Sequence, residues 1–338
     1  MERRQLHQPD YVSNQSIEIE LTSEQIEKYT RLVSFALEGK AYPYQSGYHV
    51  RAAALSINGE MHAGGNKEYG LSDAFIHGET AAISGLRDIT ASPIEAVAWY
   101  LKKDKPGPIS ESYARPCGNC RDVMLRYCDP SMALLTGNSE GIVFTRLSDF
   151  LHDDFDKIDT LNIDKLAVEI ALGAVDSAVN IYLPEDLKRG VYGAALVSED
   201  GATWMGSHYT NVGYDSITPV LSAVINWRNS YPLGTVSEKH LKLSKLVLAS
   251  YGNMPKPFYR DRQAILELDE ILRRYTGSKT PLPVEIVDAS RITNGTVFVS
   301  SACSTDVEKW LPHPFTPGAF RMDDVMEAQL AQLVGSEL

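Results

Sequence analysis

VRAAALSINGEMHAGG, residues 50–65, is the stretch from which the fold can be read. A run of small apolar residues leads into Asn58-Gly59, the dipeptide best suited to the positive φ angles of a tight hairpin turn, and a second short run leads out of it. YGAALVSEDGATWMGS, residues 192–207, has the same form, with Asp200-Gly201 at its turn. A shift of 141 positions lays AAL (53–55) on AAL (194–196) and Arg87 on Arg228, and further on LSDFLHDDF (147–155) resembles VEKWLPHPF (307–315). Three matches in the same order indicate an internal duplication, one repeat per domain.

Around each hairpin the apolar periodicity alternates between helix and strand. Residues 22–41 read as an amphipathic helix with a Thr22/Gln25 capping box and Ile26, Tyr29, Leu32, Val33 and Leu37 on one face. A short helix over 80–88, a buried strand over 95–101, a helix over 120–128 and a strand pair within 132–147 follow. The second half restarts with a helix over 164–183. Alternation of this kind specifies an α/β layered architecture. The expected division is an N-terminal arm (1–20), a first domain (21–156), a second domain (157–325) and a C-terminal tail (326–338).

Composition narrows the function. The 338 residues are 43% hydrophobic, enough for a core in each of two domains, and the formal net charge is −12. Nucleic-acid binding draws most of its affinity from Lys and Arg on phosphates, so a polymeric nucleic acid is not the expected partner. No apolar run reaches membrane-spanning length. The polar start, MERRQLHQPDYVSNQ, lacks an apolar targeting segment, and the expected location is cytoplasmic. Four cysteines, three of them between 117 and 128, are too few and too crowded for a disulfide framework.

Those cysteines carry the chemistry. RPCGNCRDVMLRYC (115–128) holds a Cys-x-x-Cys pair, Cys117 and Cys120, before a helix-like run. Such a pair serves as a redox couple, as half of a structural zinc site, or as part of a catalytic metal centre. Upstream, AFIHGETAAISGL (74–86) places His77 and Glu79 at another helix start. Two thiolates and one imidazole leave a fourth zinc position open, which is the catalytic arrangement. Both segments start helices, whose dipoles favour thiolate. Cys128, eight residues after Cys120 on the same expected helix, reads as a core thiol. The tryptophans at 99, 204, 227 and 310 read as packing residues, and His62 as an exposed or hydrogen-bonded strand residue. His152 and His313 occupy matching places in a shared turn, and His208 has no second ligand beside it in the sequence.

His-x-Glu followed by Pro-Cys-x-x-Cys matches the zinc-deaminase signature. PCGNCR (116–121), AYPYQSGYHVRAAAL (41–55) and GGNKEYG (64–70) resemble motifs of cytidine deaminases of the long, two-repeat kind, and WLPHPF (310–315) is similar to that family's ending. The resemblance implies two tandem three-layer α/β/α domains with a mixed central sheet, the second degenerate and without metal, in a homodimer of chains. It implies one Zn²⁺ per chain on His77, Cys117 and Cys120, with Glu79 as the catalytic proton carrier. Asn66 and Glu68 would hold ribose hydroxyls, and Tyr48 would lie against the pyrimidine. The implied activity is hydrolytic deamination of cytidine or deoxycytidine with release of ammonia, as in pyrimidine salvage.

Some positions depart from the family pattern. Thr80 stands where three-Cys members carry an Arg, a self-consistent change because the first ligand is His. Arg51 replaces a Gly, Tyr69 replaces Asn or Phe, and the loop 102–115 is long. These leave open a modified cytosine nucleoside or nucleotide as substrate, and a catalytically silent, zinc-stabilised nucleoside-binding protein as a third reading. In the second repeat the 141-residue shift puts Thr218, Pro219 and Val220 where His77, Gly78 and Glu79 stand, and KPFYRDR (256–262) near the cysteine pair.

Overall fold

A computed structural model describes residues 21–44, 46–68, 75–103, 115–137, 142–151, 156–157, 163–178, 191–210, 216–231, 241–291 and 297–311. They form two compact units, residues 21–151 and 156–311. The arm, the tail, Tyr69, most of the 102–115 loop, His152 and His313 lie outside the described residues. Among the described residues no helix is long and apolar enough to cross a membrane.

In the first unit, helix α1 (Ser23–Ala36) starts on the expected capping box: Thr22 accepts from the Gln25 N–H, and the Gln25 side chain accepts from the Thr22 N–H. It buries Tyr29, Leu32, Val33 and Ala36. The helix is shorter than its apolar pattern, and Ile26 and Leu37 are 45% and 44% exposed. The chain leaves the helix at Leu37 because Gly39 must pass close to strand β2 (Met61–Gly65), where a Cβ would sit 2.1 Å from the Gly64 carbonyl oxygen.

The sheet has the order β2-β1-β3-β4-β5, with β1 at Tyr48–Ser56, β3 at Ile94–Lys103, β4 at Ala133–Gly137 and β5 at Ile142–Arg146. Only β3 and β4 run parallel, the remaining neighbours being antiparallel, so the sheet is mixed. Strand alternation sorts the side chains onto two faces. Ala53, Leu55, Ala96, Ala98, Ala133, Leu135 and Phe144 pack with α1. The opposite face meets α2 (Gly78–Ile89), which lies against Gly64, with α3 (Gly118–Tyr127) beside it. A short 3₁₀ turn (Leu147–Phe150) closes the unit.

The second unit repeats this topology. After β6 (Asp156–Lys157) and α4 (Lys165–Asp176) come the hairpin β7 (Tyr192–Ser198) and β8 (Thr203–Gly206), then the two-residue strands β9 (Tyr209–Thr210) and β10 (Ser216–Ile217). Helix α5 (Pro219–Asn229), β11 (Leu243–Tyr251), α6 (Tyr259–Thr276), β12 (Pro283–Arg291), β13 (Val297–Asp306) and the single turn α7 (Val307–Trp310) complete it. The sheet order is β6-β13-β12-β11-β7-β8, and the pair β11/β12 is again the parallel one. The expected α/β class with a mixed central sheet is therefore present in both halves.

The structure corrects the register of the repeat. The hairpin turns sit at Gly59 and Gly201, 142 positions apart, with φ of 93° and 86°. Ala53 and Leu55 face α1 as Ala195 and Val197 face α4. The AAL-on-AAL match is therefore off by one, and that slip would turn every side chain to the wrong face. At the following helices the shift returns to 141: a Cβ on Gly64 would lie 2.4 Å from Ala82 N, and one on Gly206 2.4 Å from Ala223 N. The second repeat is one residue shorter between hairpin and helix.

Candidate metal centre

Two helix starts build the site. His77 is the N-cap of α2 and Cys117 the N-cap of α3, both in extended backbone conformation, and neither side chain caps its own helix. The N-cap ordinarily goes to Ser, Thr, Asp or Asn, whose oxygen satisfies an exposed N–H at roughly 1 kcal/mol. Here both caps are given up and the side chains turn to each other. Gly78 lets α2 begin against β1, because a Cβ there would lie 2.7 Å from the Val50 carbonyl oxygen.

The donors converge. His77 Nδ1 lies 3.3 Å from Cys117 Sγ, and one ligand atom from each of His77, Cys117 and Cys120 falls within 4.8 Å of the others. Bonds of about 2.0–2.3 Å to a tetrahedral zinc put ligand atoms roughly 3.3–3.8 Å apart, so a small inward adjustment closes the set. It is the one group of this kind among the described residues. Both cysteines are free and buried. Imidazole with two thiols is the donor set zinc takes, and three protein donors leave a position open.

Electrostatics at the cluster favour positive charge. Burial works to lower the His77 pKa, but the hydrogen bond and charge of Cys117, with the charges of Glu79 and Glu68, raise it to about 9. Cys117 is held as the more acidic thiol by hydrogen bonding from Cys120 and by His77, against burial. Cys120 is raised by that same bond and by burial. Glu79, 5% exposed in the first turn of α2, is raised by burial and by the Cys117 charge. The Thr80 hydroxyl stands 4.0 Å from Cys120 Sγ, where a three-Cys centre would carry an Arg.

The remaining sequence-predicted residues form a second constellation. Asn66 is buried and stitches strands together: its Oδ1 accepts from Val50 N, and its Nδ2 donates to the Tyr48 carbonyl and to Glu68 Oε1. Glu68 is gripped by Ser46, whose N–H donates to Oε2 at 2.8 Å and whose hydroxyl donates to Oε1 at 2.5 Å. Tyr48 opens β1, half-buried. The Glu68 charge is the smallest of the influences that raise the His77 pKa. Arg51 does not belong to this group. It lies on the α1 face of the sheet and donates to the Leu37 carbonyl at 3.0 Å. His62 packs on α2, where a Cβ at Gly85 would lie 2.1 Å from its ring, and is not a ligand.

No family model matches the chain, and no curated protein matches it. The chain is similar to cytidine deaminases of known structure. The cytidine deaminase of Burkholderia pseudomallei is 24% identical with a TM-score of 0.32, over 38% of this chain and 98% of its own. That of Mycobacterium leprae is 20% identical with a TM-score of 0.29, over 37% of this chain and 93% of its own. That of Mycobacterium tuberculosis is 28% identical with a TM-score of 0.29, over 37% of this chain and 92% of its own. Each neighbour thus corresponds, over nearly its whole length, to little more than a third of this chain.

The second unit carries a counterpart of the site without its chemistry. Thr218 and Phe258 are the N-caps of α5 and α6, in the places of His77 and Cys117, and again neither side chain caps its helix. Asp261 stands for Cys120 and Val220 for Glu79. The Thr218 hydroxyl donates to one Asp261 oxygen and the Tyr192 hydroxyl to the other, all three residues being buried. His208, in the place of Asn66, is buried beside the Phe258 ring, and burial with the Arg260 charge lowers its pKa. The Thr218 alignment was legible in the sequence; the closing of Asp261 by Tyr192 was not, because Tyr192 opens strand β7, 69 residues before Asp261 in α6.

Proposed function

We propose that this protein is a zinc-dependent nucleoside deaminase that converts cytidine or deoxycytidine to the uridine form and releases ammonia. The observation that carries the reading is the convergence of His77, Cys117 and Cys120 at two helix starts with the buried carboxyl of Glu79 two residues from His77. A redox couple has no use for the imidazole, and a structural site has no use for an acid beside an open position. A zinc ion held by the three ligands would supply Lewis-acid activation of water, lowering its pKa toward about 7.

Glu79 then serves as the proton carrier. Burial raises its pKa above the ordinary carboxylate range, and a single carboxyl within reach of both atoms can accept a proton in one step and give it in the next. It takes one proton from the attacking water and delivers it to the ring nitrogen beside the amine-bearing carbon, then takes the remaining proton from the newly added hydroxyl and gives it to the departing amine. The carbon–nitrogen bond breaks, a carbon–oxygen bond takes its place, and ammonia leaves. Glu68, held by Ser46, and Asn66 hold the sugar hydroxyls, and Tyr48 covers the base. The reading extends to a single zinc per chain, the domain division given above, a cytoplasmic homodimer and a free nucleoside, not a polymer, as substrate.

Ammonia release across a panel of nucleosides and nucleotides, on protein of measured zinc content, tests this. Turnover of cytidine or deoxycytidine with about one zinc per chain is expected. Full zinc occupancy without ammonia from any member of the panel would overturn it in favour of a silent binding protein.

A further inference from the structure

Arg121 follows the second cysteine and is fully buried. Burying a guanidinium is costly unless its donors are used, and here they are. Its Nε donates to the Pro116 carbonyl at 2.9 Å, and its backbone N–H donates to the Cys117 carbonyl at 3.0 Å. Its Nη1 reaches the Phe150 carbonyl at 3.4 Å, and the guanidinium lies 5.1 Å from the centre of the Phe150 ring. The side chain therefore holds the peptide unit that precedes Cys117 and ties it to the turn that closes the unit, while the backbone N–H makes the ordinary helical bond to the Cys117 carbonyl.

The second repeat supplies a built-in control. Arg262, at the same place in α6, is buried, donates Nη1 to the Trp310 carbonyl at 3.2 Å and lies 5.3 Å from the Trp310 ring. Trp310 corresponds to Phe150. The arm to the closing turn is thus kept in a repeat that holds no cysteine pair. What that arm does is architectural in both repeats.

We infer that Arg121 is a positioning residue for the metal centre: through the Pro116 carbonyl it holds Cys117, and with it the first turn of α3, in ligating geometry. This rests on the metal-binding reading above. Arg is suited to the task because its planar fork serves two carbonyls and a ring at once, which a Lys ammonium cannot do.

The test uses the full chain and metal ions as probes. Wild type, Arg121→Met, Arg121→Lys and Arg262→Met are compared by zinc competition against a chromophoric chelator and by the thiolate-to-cobalt charge-transfer band after loading with Co²⁺. Circular dichroism and thermal unfolding establish that each is folded. Arg121→Met is expected to weaken zinc binding roughly 10- to 100-fold, the range found when groups orienting metal ligands are removed, and to shift the cobalt band. Arg121→Lys should recover only part of the loss, and remains the test if Arg121→Met does not fold. Arg262→Met is expected to lower the melting temperature with unchanged zinc affinity. Unchanged affinity and spectrum in a folded Arg121 variant, or an equal loss in Arg262→Met, would overturn the inference. A wild-type protein that binds neither ion would instead overturn the metal-binding reading itself.

Discussion

Each repeat places an equivalent pair of helix starts against its own sheet, and the two fill them differently. The first holds His77, Glu79, Cys117 and Cys120, all able to titrate or ligate. The second holds Thr218, Val220, Phe258 and Asp261, and Asp261 is closed by hydroxyls from Thr218 and Tyr192. The same pair of helix starts thus accommodates either set of side chains. The chemistry is a site placed on the scaffold, and the frame around it is common to both.

The sharpest way to break this contrast is to remove the proton carrier. Glu79→Gln should retain about one zinc per chain by atomic emission while ammonia release falls at least 10²–10⁴-fold, the range of general acid–base catalysis. Next comes exchange of the corresponding residues. Cys120→Ser should abolish stoichiometric zinc binding in a folded chain. Asp261→Asn, its counterpart, should leave zinc and turnover intact and lower unfolding stability in urea by about 1–3 kcal/mol, because the amide keeps only one oxygen where two buried hydroxyls each donate.

Smaller effects sharpen it. Ser46→Ala removes the hydroxyl but keeps the backbone N–H on Glu68, and should raise KM for cytidine about tenfold, near 1.4 kcal/mol, with kcat little changed. Helix α6 runs on where α3 stops at Cys128, and there burial pushes the Asp269 carboxyl up to about 6 from 3.8, against the pull of Arg273 at 2.7 Å. An acid raised on folding favours the folded state below pH 3.8, and that contribution is lost as pH rises through about 6. Asp269→Asn should flatten this part of the stability–pH curve, measured by urea unfolding at pH 4 to 6. Least of all, Thr22→Ala should cost about 1 kcal/mol for the lost cap and leave turnover unchanged.

Much of this was legible in the chain. The hairpins declare themselves through Asn58-Gly59 and Asp200-Gly201, because few dipeptides tolerate the positive φ of such turns. The capping box at Thr22 is local, and so is the ligand spacing of the Cys pair. Legibility failed where two segments must meet. Ile26 and Leu37 fit the apolar period of α1 yet lie exposed, since the period says which residues share a face but not how much of it a neighbour covers. The duplication was visible, but its register was not: AAL matches AAL as letters, while the pleat pairs Ala53 with Ala195.

Residue type and spacing alone determined that a His/Cys/Cys set able to hold a metal lies in the first half, and that the corresponding positions of the second half carry Thr218, Phe258 and Asp261. These are properties of side-chain chemistry at helix starts, which short sequence windows contain. The tertiary structure alone decided that Ser46 holds Glu68, that Arg51 looks away from the site, that Tyr192 closes the vacant counterpart, and that Arg121 and Arg262 anchor matching turns. Each of those depends on which strand neighbours which and on which face a residue emerges. Such pairings are set by the packing of the whole sheet.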